Sequence, residues 1–92
     1  MLIHIKFESQ VRRLAGCEGT SVDVLASDSL EQIVCEVAKA GTESLRSALL
    51  DEQESLRSSI LIFFDCELVS KEQKLVLQDG SELTLTTLIS GG

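Results

Sequence analysis

"KLVLQDGSELTLTTLISGG", residues 74–92, is the stretch that decides the fold. Leu83 and Leu85 alternate with Thr84 and Thr86, the two-residue period that sends apolar side chains to one face of a strand and hydroxyls to the other. Asp79-Gly80, just ahead of it, is a turn signal. Leu75 and Leu77 repeat the alternation before the turn, so two strands joined at Asp79-Gly80 are predicted. After Thr86 the alternation gives way to Ile89, Ser90, Gly91 and Gly92. The expected organisation is one domain over residues 1–86 and a flexible tail over 87–92.

Working outward, the alternation of Ile3, Ile5 and Phe7 with His4, Lys6 and Glu8 predicts a half-buried first strand. Val22 and Val24, alternating with Ser21 and Asp23, predict a second. "RRLAGCEG" between them holds Gly16 and Gly19, where the chain can reverse, so the pair reads as a hairpin. Asp28 is placed to cap a helix with Glu31 three residues on, and Leu30, Ile33, Val34, Val37 and Ala38 then follow at helical spacing, which puts one apolar face toward a sheet. Gly41 ends that helix. "TESLRSALLDEQESLRS" reads as a shorter helix or helical turn with Leu45 and Leu49 inward, then a loop. "ILIFF", residues 60–64, is apolar on both faces, as a central strand requires, and "DCELV" then turns. The order is β-β-α-(α)-β-β-β. It specifies an α+β fold, a mixed sheet of four to five strands with one main helix across one face.

The chain has 92 residues, 43% of them hydrophobic and 25% charged, with a formal net charge of −7. That length supports one small core. The charge repels phosphate backbones and no Lys/Arg run offsets it locally, so direct nucleic-acid binding is not expected. An acidic surface favours a protein partner with a basic patch, although the same charge also serves solubility alone. No apolar run approaches the ~18 residues of a membrane span, and "MLIHIKFESQ" lacks the pattern of a signal peptide, so a cytoplasmic protein is expected. Cys17, Cys35 and Cys66 are too widely spaced for a CxxC motif and are expected to be reduced thiols that neither ligate metal nor attack substrate. His4 belongs on an exposed strand face. No bound cofactor, metal or catalytic constellation is expected, which leaves the chain poorly equipped as an enzyme.

At this point the sequence is similar to the ubiquitin-like β-grasp sulfur carriers, the group holding the molybdopterin synthase small subunit, the thiamine sulfur carrier and the ubiquitin-related modifier of tRNA thiolation. The matching pieces are "F…VRRLAG", "ILIFFDCELV", "KLVLQDGSELTL" and the terminal "ISGG". The chain departs from molybdopterin synthase small subunits at Asp65-Cys66, where they usually carry Asn-Gly, and at Thr87-Leu88, where they commonly carry Pro-Pro. Hydroxyl residues there resemble the tRNA-thiolation modifier, but Ser90 stands where that family usually has histidine, and its tryptophan after the middle turn is missing.

The resemblance implies that the chain is a protein co-substrate or non-catalytic small subunit of a sulfurtransferase complex. A carboxylate is a poor electrophile, so an E1-like adenylating enzyme would activate Gly92 with ATP, and sulfur would replace AMP to give a thiocarboxylate. The sulfur would go to a molybdopterin precursor beside a molybdopterin synthase large subunit. Alternatively it would go to a tRNA thiolation enzyme for 2-thiouridine, with or without conjugation of Gly92 to protein lysines. A modifier without sulfur chemistry and an inert interaction domain are the other readings. Ile89, Ser90 and Gly91 would thread the partner's channel, Gly91 and Gly92 fitting for want of β-carbons. Extended, residues 87–92 reach about 20 Å at ~3.3–3.6 Å each. For docking, Leu61 and Phe63 form the second apolar set of the central strand, either exposed to a partner or covered by "ESLRSALLDEQ".

Overall fold

The structure, a computed structural model, describes residues 1–87. Its elements run β1 (Leu2–Phe7), α1 (Ser9–Ala15), β2 (Gly19–Asp23), α2 (Leu30–Ala40), α3 (Glu43–Leu49), β3 (Ile60–Phe64), β4 (Glu67–Val69) and β5 (Glu82–Thr87). The strands form one mixed sheet in the order β2-β1-β5-β3-β4. β5 lies parallel to β1, and every other pairing is antiparallel. This is the expected α+β arrangement, with five strands.

The periodicities do what they predict. Ile3, Ile5 and Phe7 of β1, Ile60 and Ile62 of β3, and Leu83 and Leu85 of β5 are buried on one face of the sheet. There they join Leu30, Ile33, Val34, Val37 and Ala38 of α2 in one core. Burial of each such side chain is worth about 1.5–3 kcal/mol, so the shared face is what fixes α2 on the sheet. Leu45 and Leu49 of α3 complete the same core.

Four local expectations are corrected. First, the connection from β1 to β2 is the helix α1, with Val11 fully buried, and not a plain reversal. Its end is at Gly16, whose φ of 76° is left-handed and whose N–H donates to Arg12 O at 3.1 Å, a conformation glycine adopts at little cost. Second, α2 is capped by Ser29, not Asp28. The Ser29 hydroxyl accepts from Gln32 N–H at 3.1 Å while the Gln32 side chain accepts from Ser29 N–H at 2.7 Å, a capping box one residue later than expected. Asp28 instead accepts from Leu25 N–H. Third, residues 75–77 are not a strand. Leu75 and Leu77 pack against the core from a loop, and Val76 between them is 85% exposed, so their alternation reports one-sided burial without a ladder. The fourth strand is instead β4. The turn at Asp79-Gly80 is present. Asp79 Oδ1 accepts from Leu2 N–H at 2.6 Å and Gly80 N–H donates to Leu2 O at 2.7 Å, which ties the start of β5 to the start of β1.

The fourth correction is "DCELV", which is more than a turn. Phe64 pairs with Glu67 around a two-residue loop, so β3 and β4 form a hairpin. Both loop residues have positive φ, 52° at Asp65 and 65° at Cys66, as a hairpin twisted to match its strands requires. Aspartate tolerates that region, whereas a cysteine there costs on the order of 1–2 kcal/mol. Cys66→Gly should therefore stabilise the protein by about 0.5–1 kcal/mol after the greater freedom of glycine in the unfolded chain is subtracted. A higher urea midpoint at unchanged slope is the expected result. A lower midpoint would mean that the Cys66 side chain makes contacts worth more than the strain.

Candidate functional site

Two features of this scaffold remain after the core is accounted for: the sheet face turned away from α2, and the path by which the chain leaves β5. β5 occupies the middle of the sheet between β1 and β3. Its last described residue, Thr87, pairs with Ile60, and Glu8 N–H donates to Leu85 O at 3.0 Å. The described part of the chain thus ends on an interior strand, beside the start of α1. β5 runs one residue past the expected boundary at 86. Gly92, Gly91, Ser90 and Ile89 lie outside the described residues.

On the outer face, pairing register sets the neighbours. Phe63 stands between Thr84 of β5 and Leu68 of β4, Leu61 is beside Thr86, and Lys6 of β1 is beside Thr84. His4 pairs with Glu82 on one side and with Ser21 on the other, its Nδ1 2.8 Å from the Ser21 hydroxyl. Leu61 and Phe63 are half-buried, and Leu68 is 59% exposed. Leu61, Phe63 and Leu68 therefore make an apolar strip, flanked by Thr84 and Thr86. The segment "ESLRSALLDEQ" does not reach this strip: α3 packs against α1 and α2, and Leu45, Leu49 and Leu50 enter the core. Sequence reasoning misses Leu68, because "DCELV" by itself reads as a turn. A two-residue loop at Asp65-Cys66 is the signal that would have placed Leu68 opposite Phe63.

The thiols do not gather into a site. Cys17 and Cys66 are exposed, and Cys35 is partly buried in α2. Burial pushes the Cys35 thiol up, with Glu31 adding to it, so less of it is thiolate and it is a poorer nucleophile. Among the described residues no three His, Cys, Asp or Glu side chains are placed to hold a metal ion. No helix among them is long and apolar enough to cross a membrane.

Known proteins match this chain in fold. The crystal structure of SAMP1 from Haloferax volcanii superposes with a TM-score of 0.83 at 21% identity, covering 100% of both chains. The fold is a ubiquitin-like β-grasp. SAMP1, the small archaeal modifier protein 1, from Methanosarcina acetivorans gives a TM-score of 0.78 at 15% identity over 99% of this chain and 96% of the other. A Pyrococcus furiosus protein described as molybdopterin converting factor subunit 1 gives 0.71 at 17% identity over 97% and 99%. No protein-family model matches the sequence, and no curated protein sequence does. In this layout α2 packs on one face of the sheet, and Leu61, Phe63 and Leu68 lie on the other, half-buried or exposed among the described residues.

Proposed function

We propose that this chain is a sulfur carrier. An E1-like enzyme adenylates the Gly92 carboxylate with ATP, sulfur displaces AMP, and the Gly92 thiocarboxylate donates sulfur to a molybdopterin precursor, with the chain acting as small subunit beside a molybdopterin synthase large subunit. The observation that carries this reading is the β-grasp match along nearly the whole of a molybdopterin converting factor subunit, in a sequence that places Gly91 and Gly92 four and five residues beyond β5. The chain supplies an acceptor and a docking surface, while its partners supply the catalysis. Ordering a tail costs on the order of 1–2 kcal/mol per residue, so the affinity must come from the body. Leu61 and Phe63, extended by Leu68, form the surface to which we assign it.

A second reading has an observation of its own. The SAMP1 structures, named as modifiers, match at TM-scores of 0.83 and 0.78, and Thr87-Leu88 stands where Pro-Pro is common in molybdopterin synthase small subunits. In that reading the same activated Gly92 supplies sulfur for tRNA 2-thiouridine, is joined to protein lysines, or both. Intact mass after incubation with ATP, an E1-like enzyme and a sulfur donor tests the shared step. A mass gain equal to exchange of one oxygen for sulfur is expected, and an unchanged mass with active enzyme would sink sulfur donation in both readings and leave only conjugation to lysines. Adding a molybdopterin synthase large subunit and precursor, or a thiolation enzyme and tRNA, then separates them by which mixture returns the mass to its starting value.

A further inference from the structure

β2 is one edge of the sheet, on the opposite side from β4. Its bonding to β1 is fixed by two contacts at the ends: Phe7 N–H donates to Glu18 O at 2.8 Å, and Val24 N–H donates to Met1 O at 2.9 Å. In an antiparallel ladder such bonded pairs recur at every second residue, so Thr20 and Val22 turn their backbone groups to Ile5 and Ile3. Gly19, Ser21 and Asp23 therefore each turn an N–H and a C=O outward, and among the described residues β2 pairs with no strand but β1. The strand carries none of the devices that usually blunt an edge. It has no lysine, no proline and no bulge, and its one charge, Asp23, is matched by the Met1 ammonium at 3.2 Å.

A cavity of about 400 Å³ lies between the start of β2 and the end of α2, walled largely by Phe7, Ala15, Thr20, Val37, Ala40 and Leu45. Thr20 stands opposite Ile5, a core residue, so its side chain points to the α2 side of the sheet. A strand added to β2 alternates its side chains as β2 does, and the one opposite Thr20 is directed to this cavity. The free backbone groups thus call for an extended chain, and the cavity calls for a large apolar side chain within it. A second copy of this chain meets the first requirement only. Pairing about Ser21 sets Val22 of the second copy opposite Thr20, a short side chain for the space, and brings together two chains of net charge −7. The same charge favours a basic partner. We propose that the edge of β2 receives an extended, basic segment of a partner protein, which lengthens the sheet by one strand and seats an apolar side chain in the cavity. The site shares no residue with the Leu61, Phe63 and Leu68 strip, and the proposal stands independently of the sulfur-carrier reading.

The probe is a blocked peptide, Ac-Lys-Val-Thr-Leu-Thr-Val-Lys-amide, whose central leucine is the anchor and whose terminal lysines supply the charge. Adding it should slow amide hydrogen exchange at Gly19, Ser21 and Asp23, while Thr20 and Val22, already bonded to β1, change little. The amide signals of Val37, Ala40 and Leu45 should shift as the leucine enters. Serine in place of that leucine should weaken binding roughly tenfold or more, as loss of a buried apolar side chain requires. Glutamates in place of the two lysines should also weaken it at low salt, and tighter binding of that peptide would overturn the basic partner. Exchange that stays fast with millimolar peptide would overturn the site, as would equal binding of the leucine and serine peptides. Protection that grows with protein concentration alone, with a doubled mass in sedimentation, would give the edge to a second copy and overturn the proposal too. Ser21→Pro removes an outward N–H without touching the β1 ladder, so it should abolish peptide binding in a protein whose amide spectra show the fold kept. If that variant does not fold, the peptides with the wild-type protein still decide.

Discussion

Ile33→Ala is expected to destabilise the protein by about 2–5 kcal/mol, since a buried Ile truncated to Ala loses its transfer free energy and leaves a cavity. Ile33 has no exposed surface and sits on the face of α2 that meets the sheet, with Val34 and Val37 around it in the core. Alanine is the better helix former, which offsets only a few tenths of a kcal/mol. Against a typical total of about 5–15 kcal/mol the loss is large, and it should lower the melting temperature on the order of 10–30 °C. Thermal and urea unfolding, followed by circular dichroism, measure it. A loss below about half a kcal/mol would place Ile33 outside the core and rotate α2 on the sheet.

The parts of the fold legible in the sequence were those where one face is buried and the other wet. β1, α2 and β5 each meet that condition, and their periods of two or of 3.6 residues survive in the residue order. α1 was missed because a seven-residue helix leaves little periodicity. Val11, Leu14 and Ala15 at i, i+3 and i+4, closed by Gly16, were its only trace, and they lead straight into Gly16 and Gly19, which also fit a reversal. β4 was missed for a different reason. Three residues cannot show an alternation, and its turn uses Asp65-Cys66 where an Asn-Gly would have announced a hairpin. Leu75 and Leu77 misled in the opposite direction, because a loop draped on a core alternates as a strand does. The candidate docking strip was half legible. Leu61 and Phe63 follow from a strand apolar on both faces, while Leu68 depends on strand register, which no local pattern encodes.

Deleting Gly92, or adding one residue after it, is expected to abolish thiocarboxylation while leaving the melting temperature almost unchanged. The first half follows from the chemistry of the proposal. Adenylation needs a free carboxylate at the position the enzyme's site reaches, and an extension moves that carboxylate by about one residue length, ~3.3–3.6 Å, which is more than an in-line attack tolerates. The second half follows from the core. Every buried side chain among the described residues lies between Ile3 and Leu85, and the pairing of β5 with β3 described up to Thr87 uses neither glycine, so neither change removes a packed atom or a ladder hydrogen bond among those residues. Gly91→Ala should impair the reaction as well, through the β-carbon it brings into the partner's channel. Binding to the activating enzyme should survive in all three variants, because the affinity is assigned to the outer face of the sheet. Intact mass after incubation with ATP, enzyme and sulfur donor, alongside thermal unfolding and a binding titration, reads each part separately. If the extended chain still gains sulfur, Gly92 is not the acceptor; if binding is lost along with the reaction, the tail rather than the sheet face holds the partner.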